Sequence, residues 1–205
     1  MTSAPILALA LATAAISIIS APANAQGRLR GLARVGLEYG GEKVLEFEYE
    51  DGSTPDVMAG GGLLLTVGGA LGVWTRGAHA VDAQLSAGLK YRTIPPANNQ
   101  EVTWLRFPVE GLLFYRLPNG VRLGAGATVH LRNRIEADGE ALSGNVAFKN
   151  TPGLLLQAEY VRRNFGFDLR YTALEYELSS ELGTVDASSI GVGLTFFFGK
   201  SGGTP

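Results

Sequence analysis

Hydrophobic and polar side chains alternate with a period of two along most of this chain. Over residues 121–135, Val121, Leu123, Ala125, Ala127, Val129, Leu131 and Ile135 fall on one face. Arg122, Gly124, Gly126, Thr128, His130, Arg132 and Arg134 fall on the other. Such alternation places successive side chains on opposite faces of a β-strand. The same rhythm returns over residues 81–92, 105–116, 154–161, 165–173 and 189–198. It is looser over 33–49, where the Gly40-Gly41 pair interrupts it, and over 57–73, where small residues crowd one face. The pattern predicts eight strands. Tight turns made of turn-forming residues join some of them, at Arg76-Gly77-Ala78, Leu117-Pro118-Asn119-Gly120 and Arg163-Asn164. Longer polar links, residues 51–56, 94–100, 136–145 and 179–186, join the others. Short and long connections that alternate between an even number of strands put both ends of the sheet on the short-turn side.

A transmembrane helix competes for residues 57–75, a stretch without a charged side chain. It holds six glycines, each costing about 1 kcal/mol against alanine in a helix, so a strand is expected there too. Alternation alone does not say which face is buried. A soluble calyx turns its apolar face inward, and Gly72-Val73-Trp74 offers a lipocalin-like G-x-W pattern. Lipid reverses the arrangement. The polar face carries Gly and Ser together with Arg and Glu in mid-strand, as a narrow packed interior does. The apolar face gathers aromatics near strand ends: Tyr115, Tyr160, Phe165, Phe196 and Phe198 by the short turns, and Tyr49, Tyr91, Phe107 and Tyr171 toward the long links. Two such belts mark the two interfaces of a membrane. An open sheet edge in lipid would leave backbone groups unpaired, so the sheet must close. The expected fold is all-β, an eight-stranded antiparallel up-and-down transmembrane β-barrel.

The first 25 residues differ from the rest. They contain no charged side chain, run apolar over residues 6–19, and end in Ala23-Asn24-Ala25 before Gln26. A short apolar core followed by a small-x-small site reads as a cleaved secretory signal peptide. The expected organisation is therefore a signal peptide over 1–25, the barrel over 26–199 and a C-terminal tail over 200–205. Composition narrows the chemistry. The 205 residues include no cysteine, which excludes a disulfide framework, a thiolate zinc site and a cysteine nucleophile. With 17 basic and 19 acidic side chains the net charge is −2, without the basic excess that nucleic-acid binding needs.

Taken together, the signal peptide, the eight alternating segments and the last strand ending in Phe196-Phe197-Phe198 resemble the small outer-membrane β-barrels of Gram-negative bacteria, such as the OmpA transmembrane domain, OmpX and OmpW. The resemblance covers residues 26–199. It implies a place in the cell outer membrane with periplasmic termini. It also implies outer-membrane lipid, lipopolysaccharide and the barrel-insertion machinery as partners, and a monomeric state.

The face that would line the lumen is charged: Arg34, Glu38, Asp82, Lys90, Arg106, Glu110, Arg122, His130, Arg132, Glu159, Asp168 and Arg170. An interior of eight strands is just wide enough for side chains to fill. Isolated buried charges are costly, so the expected arrangement is a network of paired charges in a largely closed lumen, with a structural or surface-interaction role. A narrow ion or small-solute channel is the alternative that the same residues support. A lipid A-modifying enzyme is a second, since a nucleophile with a base in reach would suffice. The chain has two histidines: His79 sits beside a turn, and His130 is followed by Leu131 and Arg132 rather than forming the His-x-Ser signature of lipid A deacylases. No catalytic residue, cofactor or metal ligand set is expected.

Charge is also distributed lengthwise. Glu46, Glu48, Glu50, Asp51, Asp56, Glu136, Asp138, Glu140, Glu175, Glu177, Glu181 and Asp186 lie toward the long links, whereas Arg28, Arg30, Arg76, Arg116, Arg162, Arg163 and Lys200 lie toward the short turns. A rim of carboxylates can collect divalent cations through oxygen ligands, but it lacks any calcium-loop spacing and reads as a solvated face. Calcium titration is expected to leave the unfolding temperature unchanged; a rise would assign the acidic rim a bound cation.

Overall fold

The computed structural model describes residues 29–46, 56–97, 100–138, 144–177 and 183–199. The segments expected to be a signal peptide (1–25) and a C-terminal tail (200–205) and the loop positions Glu48, Tyr49, Glu50, Asp51, Glu140 and Glu181 lie outside them. Thirteen strands follow one another: β1 (Leu29–Tyr39), β2 (Lys43–Glu46), β3 (Asp56–Met58), β4 (Gly62–Arg76), β5 (His79–Ala97), β6 (Gln100–Arg116), β7 (Val121–Asp138), β8 (Gly144–Ala147), β9 (Pro152–Arg162), β10 (Phe165–Ala173), β11 (Glu175–Glu177), β12 (Thr184–Asp186) and β13 (Ser189–Phe198). Eight of them form a closed antiparallel ring in the order β1-β4-β5-β6-β7-β9-β10-β13, and β13 pairs back onto β1. Each step except that last one joins strands consecutive around the wall, so the barrel is up-and-down.

The short turns fall at one end, where Gly77 (φ 60°) and Gly120 (φ 85°) take the left-handed conformation their turns require. The long links fall at the other end, and they carry more order than their polar composition predicts. β2 and β3 pair as a hairpin, β11 and β12 pair as another, and β8 pairs with the upper part of β7. β5, β6 and β7 reach 19, 17 and 18 residues, against 9 to 11 for β9, β10 and β13. One wall of the barrel is therefore taller than the opposite one.

The apolar face points out. Val67 is 64% and Leu85 67% exposed, and they belong to a band of outward aliphatic side chains that circles the ring. A band of that size on a closed barrel belongs in lipid, and it excludes the calyx, whose apolar face must line the cavity. Trp74, Tyr115, Tyr160, Phe165, Phe196 and Phe198 form the aromatic belt on the short-turn side, with Tyr39 and Tyr171 toward the long links. Residues 57–75 are divided between β3 and β4 with no helix.

Three of the departures from uniform alternation change where the residues named above fall. After Gly40 and Gly41 (φ 137° and 85°) the chain leaves the wall, so Leu45 belongs to the β2–β3 hairpin instead of a longer first strand. In β4 a register shift between Gly72 and Trp74 sets Trp74 opposite Val81 on the outer face. In β7 a second shift follows Leu131, where Arg132 adopts φ 48°. An inserted residue reverses the parity of everything after it. Asn133 and Ile135 consequently turn inward, and Arg132 and Arg134 are exposed. Arg132, expected in the lumen, is thus an outer residue.

Glycine on the inner face allows the wall to curve. A Cβ placed at Gly88 would collide with the backbone of Leu65 and Thr66 on β4. Backbone cannot step aside as a side-chain tip can, so Gly88→Val is expected to destabilise the barrel by about 2 kcal/mol, read as a lowered urea midpoint. An unchanged midpoint would mean that β4 and β5 do not approach this closely.

Candidate functional site: the filled lumen and its cap

The inward positions form three levels. Nearest the short turns, Leu32, Phe114 and Phe197 fill the bore with apolar side chains, and Leu112 and Leu155 pack on Phe114 from above. The Arg122 guanidinium lies 3.9 Å above the Phe114 ring and 4.8 Å above Phe197. It is ion-paired with Glu159 and also donates to Gln84 Oε1 at 3.0 Å. At mid-height Arg34 donates two hydrogen bonds to the Asp168 carboxylate, at 2.6 and 2.9 Å. Arg170 does the same to Glu110, at 2.6 and 3.1 Å, and its Nη2 also reaches Gln157 Oε1 at 2.9 Å. The Ser86 hydroxyl donates to Glu110 Oε2, the oxygen that also accepts from Arg170 Nη2. Higher still, Lys90 Nζ donates to Glu38 at 2.5 Å, and Ser189 donates to the same oxygen at 3.1 Å. Two parallel bonds from a guanidinium to a carboxylate are both stronger and more directional than a single contact, which fixes the centre of the network.

Among the described residues, five buried cations (Arg34, Lys90, Arg106, Arg122, Arg170) face four buried carboxylates (Glu38, Glu110, Glu159, Asp168). Arg106 is the cation left over. Its terminal nitrogens donate instead to backbone carbonyls, Ala59 at 2.7 Å and Gly61 at 2.6 Å, and its guanidinium lies 4.4 Å over the Trp104 ring. Lys90 adds a bond to the Gly60 carbonyl at 2.6 Å. Three successive carbonyls after β3 are thereby drawn down onto the mouth of the barrel.

Above them sits a small apolar core. Val57, Ala59, Trp104, Ile135, Phe148, Leu174, Tyr176 and Ala187 are all buried together. The Trp104 ring lies 5.7 Å from Phe148 and 5.9 Å from Tyr176, and Phe148 lies 5.6 Å from Tyr176. The Trp104 indole donates to Asn133 at 2.7 Å, and Tyr176 shares a 2.5 Å hydrogen bond with His130. Burial raises the Tyr176 phenol above its ordinary pKa, which keeps its proton available to that bond. The tall wall supplies Trp104 and Ile135, and the long connections supply the rest. The loop end is a folded cap.

Of the predicted lumen residues, Arg106, Glu110, Arg122, His130, Glu159, Asp168 and Arg170 lie inside, as do Arg34, Glu38 and Lys90. Asp82 sits at the short-turn rim, 3.3 Å from Arg116, and Arg132 lies outside. Sequence reasoning missed the cap, the glutamines Gln84 and Gln157 that accept from Arg122 and Arg170, and the aromatic floor. Phe114 and Phe197 stand in the polar register of their strands, and that mismatch was the available signal.

No protein-family model matches this chain, and neither does any curated protein sequence. Among solved structures, it is similar to the outer membrane protein Ail, the attachment invasion locus protein of Yersinia pestis, seen in complex with the heparin analogue sucrose octasulfate. The superposition has a TM-score of 0.52 at 13% identity and covers 84% of this chain and 99% of Ail. The fold is that of a small outer-membrane β-barrel. Weaker likenesses run to Neisserial surface protein A (TM-score 0.41, 12% identity, 83% of this chain and 97% of that one) and to the outer membrane protein AlkL (TM-score 0.41, 14% identity, 86% and 93%). At such identities the likeness reaches the architecture and no further.

Glu110 tests the network. Removing its carboxylate leaves the buried Arg170 without its bidentate partner, so Glu110→Ala is expected to cost about 3–5 kcal/mol. Glu110→Gln, which keeps an acceptor, should cost less. The check is the unfolding midpoint in detergent micelles, and equal midpoints for wild type and Glu110→Ala would refute the pairing.

Proposed function

We propose that this protein is a non-conducting barrel of the outer membrane, with its described ends on the periplasmic side and its folded cap on the outer side as the surface that meets partners. The observation that carries this reading is the filling of the bore. Every buried carboxylate among the described residues is engaged by a cation, and the surplus cation, Arg106, is spent on holding the β3–β4 segment over the mouth. The aromatic floor blocks the opposite end. A role as a monomer fits a ring whose eight strands leave no free edge among themselves. An enzymatic role finds no support from His130, which lies beneath the cap against Tyr176 and away from the lipid-facing wall.

The mature chain, refolded into a planar bilayer, is expected to insert without discrete current steps. Reproducible unitary steps would replace this reading with the narrow channel, since the same ion pairs would then line a path.

A further inference from the structure

The short-turn end carries arginine at each of its four junctions. Arg76 stands at the β4–β5 turn, Arg116 at the β6–β7 turn, Arg162 and Arg163 at the β9–β10 turn, and Arg30 where β1 meets β13. In the ring order these junctions are two strands apart; the Arg30 guanidinium turns inward, 4.6 Å over the Phe197 ring, and the arginines at the other three junctions are exposed. Arg76 pairs in register with His79, whose ring stacks 5.7 Å from the outward Tyr115 and shares a 2.9 Å hydrogen bond with its hydroxyl. Arg162 continues the outward face of Tyr160 and pairs in register with the outward Phe165. Arg163 occupies the turn tip with φ 56°.

The acids at this rim are already engaged. Asp82 is bonded to Arg116, and Glu159 is buried against Arg122. Arg76, Arg162 and Arg163 are exposed, and no carboxylate among the described residues partners them. The loop end is different, because its exposed charges are mixed and Lys149 pairs there with Glu177 at 3.1 Å. The outward belt of Trp74, Tyr115, Tyr160, Phe165, Phe196 and Phe198 sets the depth. Aromatic belts ride at the level of the lipid headgroups, which puts the arginines one or two residues beyond them at the level of the phosphates. A guanidinium presents a planar fork that matches two phosphate oxygens.

We propose that this rim is a collar that gathers anionic phospholipid around the barrel by its phosphate headgroups. The inference rests on the reading that the short-turn end lies at a membrane interface. It adds a lipid preference that a neutral rim would lack.

The chain contains its own probe. Of its two tryptophans, Trp74 is 46% exposed on the outer face two residues from Arg76, and Trp104 is 1% exposed inside the cap. The full mature chain would be refolded in phosphatidylcholine vesicles containing a small, equal fraction of either brominated phosphatidylglycerol or brominated phosphatidylcholine. Brominated phosphatidylglycerol is expected to quench Trp74 about twofold more effectively, and high salt should shrink the difference. The combined variant Arg76→Gln, Arg162→Gln, Arg163→Gln is expected to abolish it. Equal quenching by the two lipids, or a preference that survives in the variant, overturns the collar while leaving the membrane placement intact. No quenching by either lipid overturns the placement itself. Should the variant fail to refold, the salt titration of the wild-type chain decides alone, because a preference unmoved by salt overturns an electrostatic collar.

Discussion

The interior of this barrel depends on one constraint: a bore too narrow for bulk water must still be filled, and whatever fills it must be paired. Outside, lipid demands an unbroken apolar band. Inside, the polar half of each alternating strand has nowhere to go except against the polar half of another. The bidentate pairs Arg34–Asp168 and Arg170–Glu110 answer that demand across the bore rather than along it. They tie β1 to β10 and β10 to β6, so the cross-section is braced by charge where a soluble protein would use aliphatic packing. Leaving one such partner unpaired costs more than the pair itself contributes, and for that reason the network behaves as a unit.

The odd charge links the bore to its lid. With four carboxylates already engaged, Arg106 is satisfied by carbonyl dipoles and the face of Trp104. Those carbonyls belong to Ala59 and Gly61, and Ala59 is itself part of the apolar cap. Electrostatics in the wall and hydrophobic packing in the loops therefore meet in one short segment. The tall wall of β5, β6 and β7 follows from the same need, because Trp104 and Ile135 must stand above the lipid-embedded ring to reach Phe148 and Tyr176.

Much of the wall was legible in the sequence because its signal is local. Within a regular strand, the position of Glu110 or Asp168 follows from parity alone once the outer face is known, and the belts of Tyr and Phe identify that face. Parity fails where a residue is inserted. Nothing in the composition around Arg132 announces the bulge, and a single positive φ at a non-glycine residue moves Arg132 outward and Ile135 inward. The cap was illegible for a different reason. Val57, Phe148 and Tyr176 come from separate connections and Trp104 from the tall end of β6, with no shared period, and each looks like a lone apolar residue beside a polar link. Only the closed ring brings them to one place.

That ring closes between the first described strand and the last, and this bears on how the protein reaches its folded state. The Arg34–Asp168 contact spans 134 positions of sequence and the Glu38–Ser189 contact spans 151. A chain delivered to the bilayer one hairpin at a time would pair Glu38 with Lys90 once β5 arrived, but would leave Arg34 exposed to hydrocarbon until β10 followed. Non-local pairing of this kind is slow to form, and a charge waiting in lipid is expensive. Assembly must therefore bring the two ends together before the polar face is committed to the membrane interior, as a concerted event in which the curled sheet enters already close to shut.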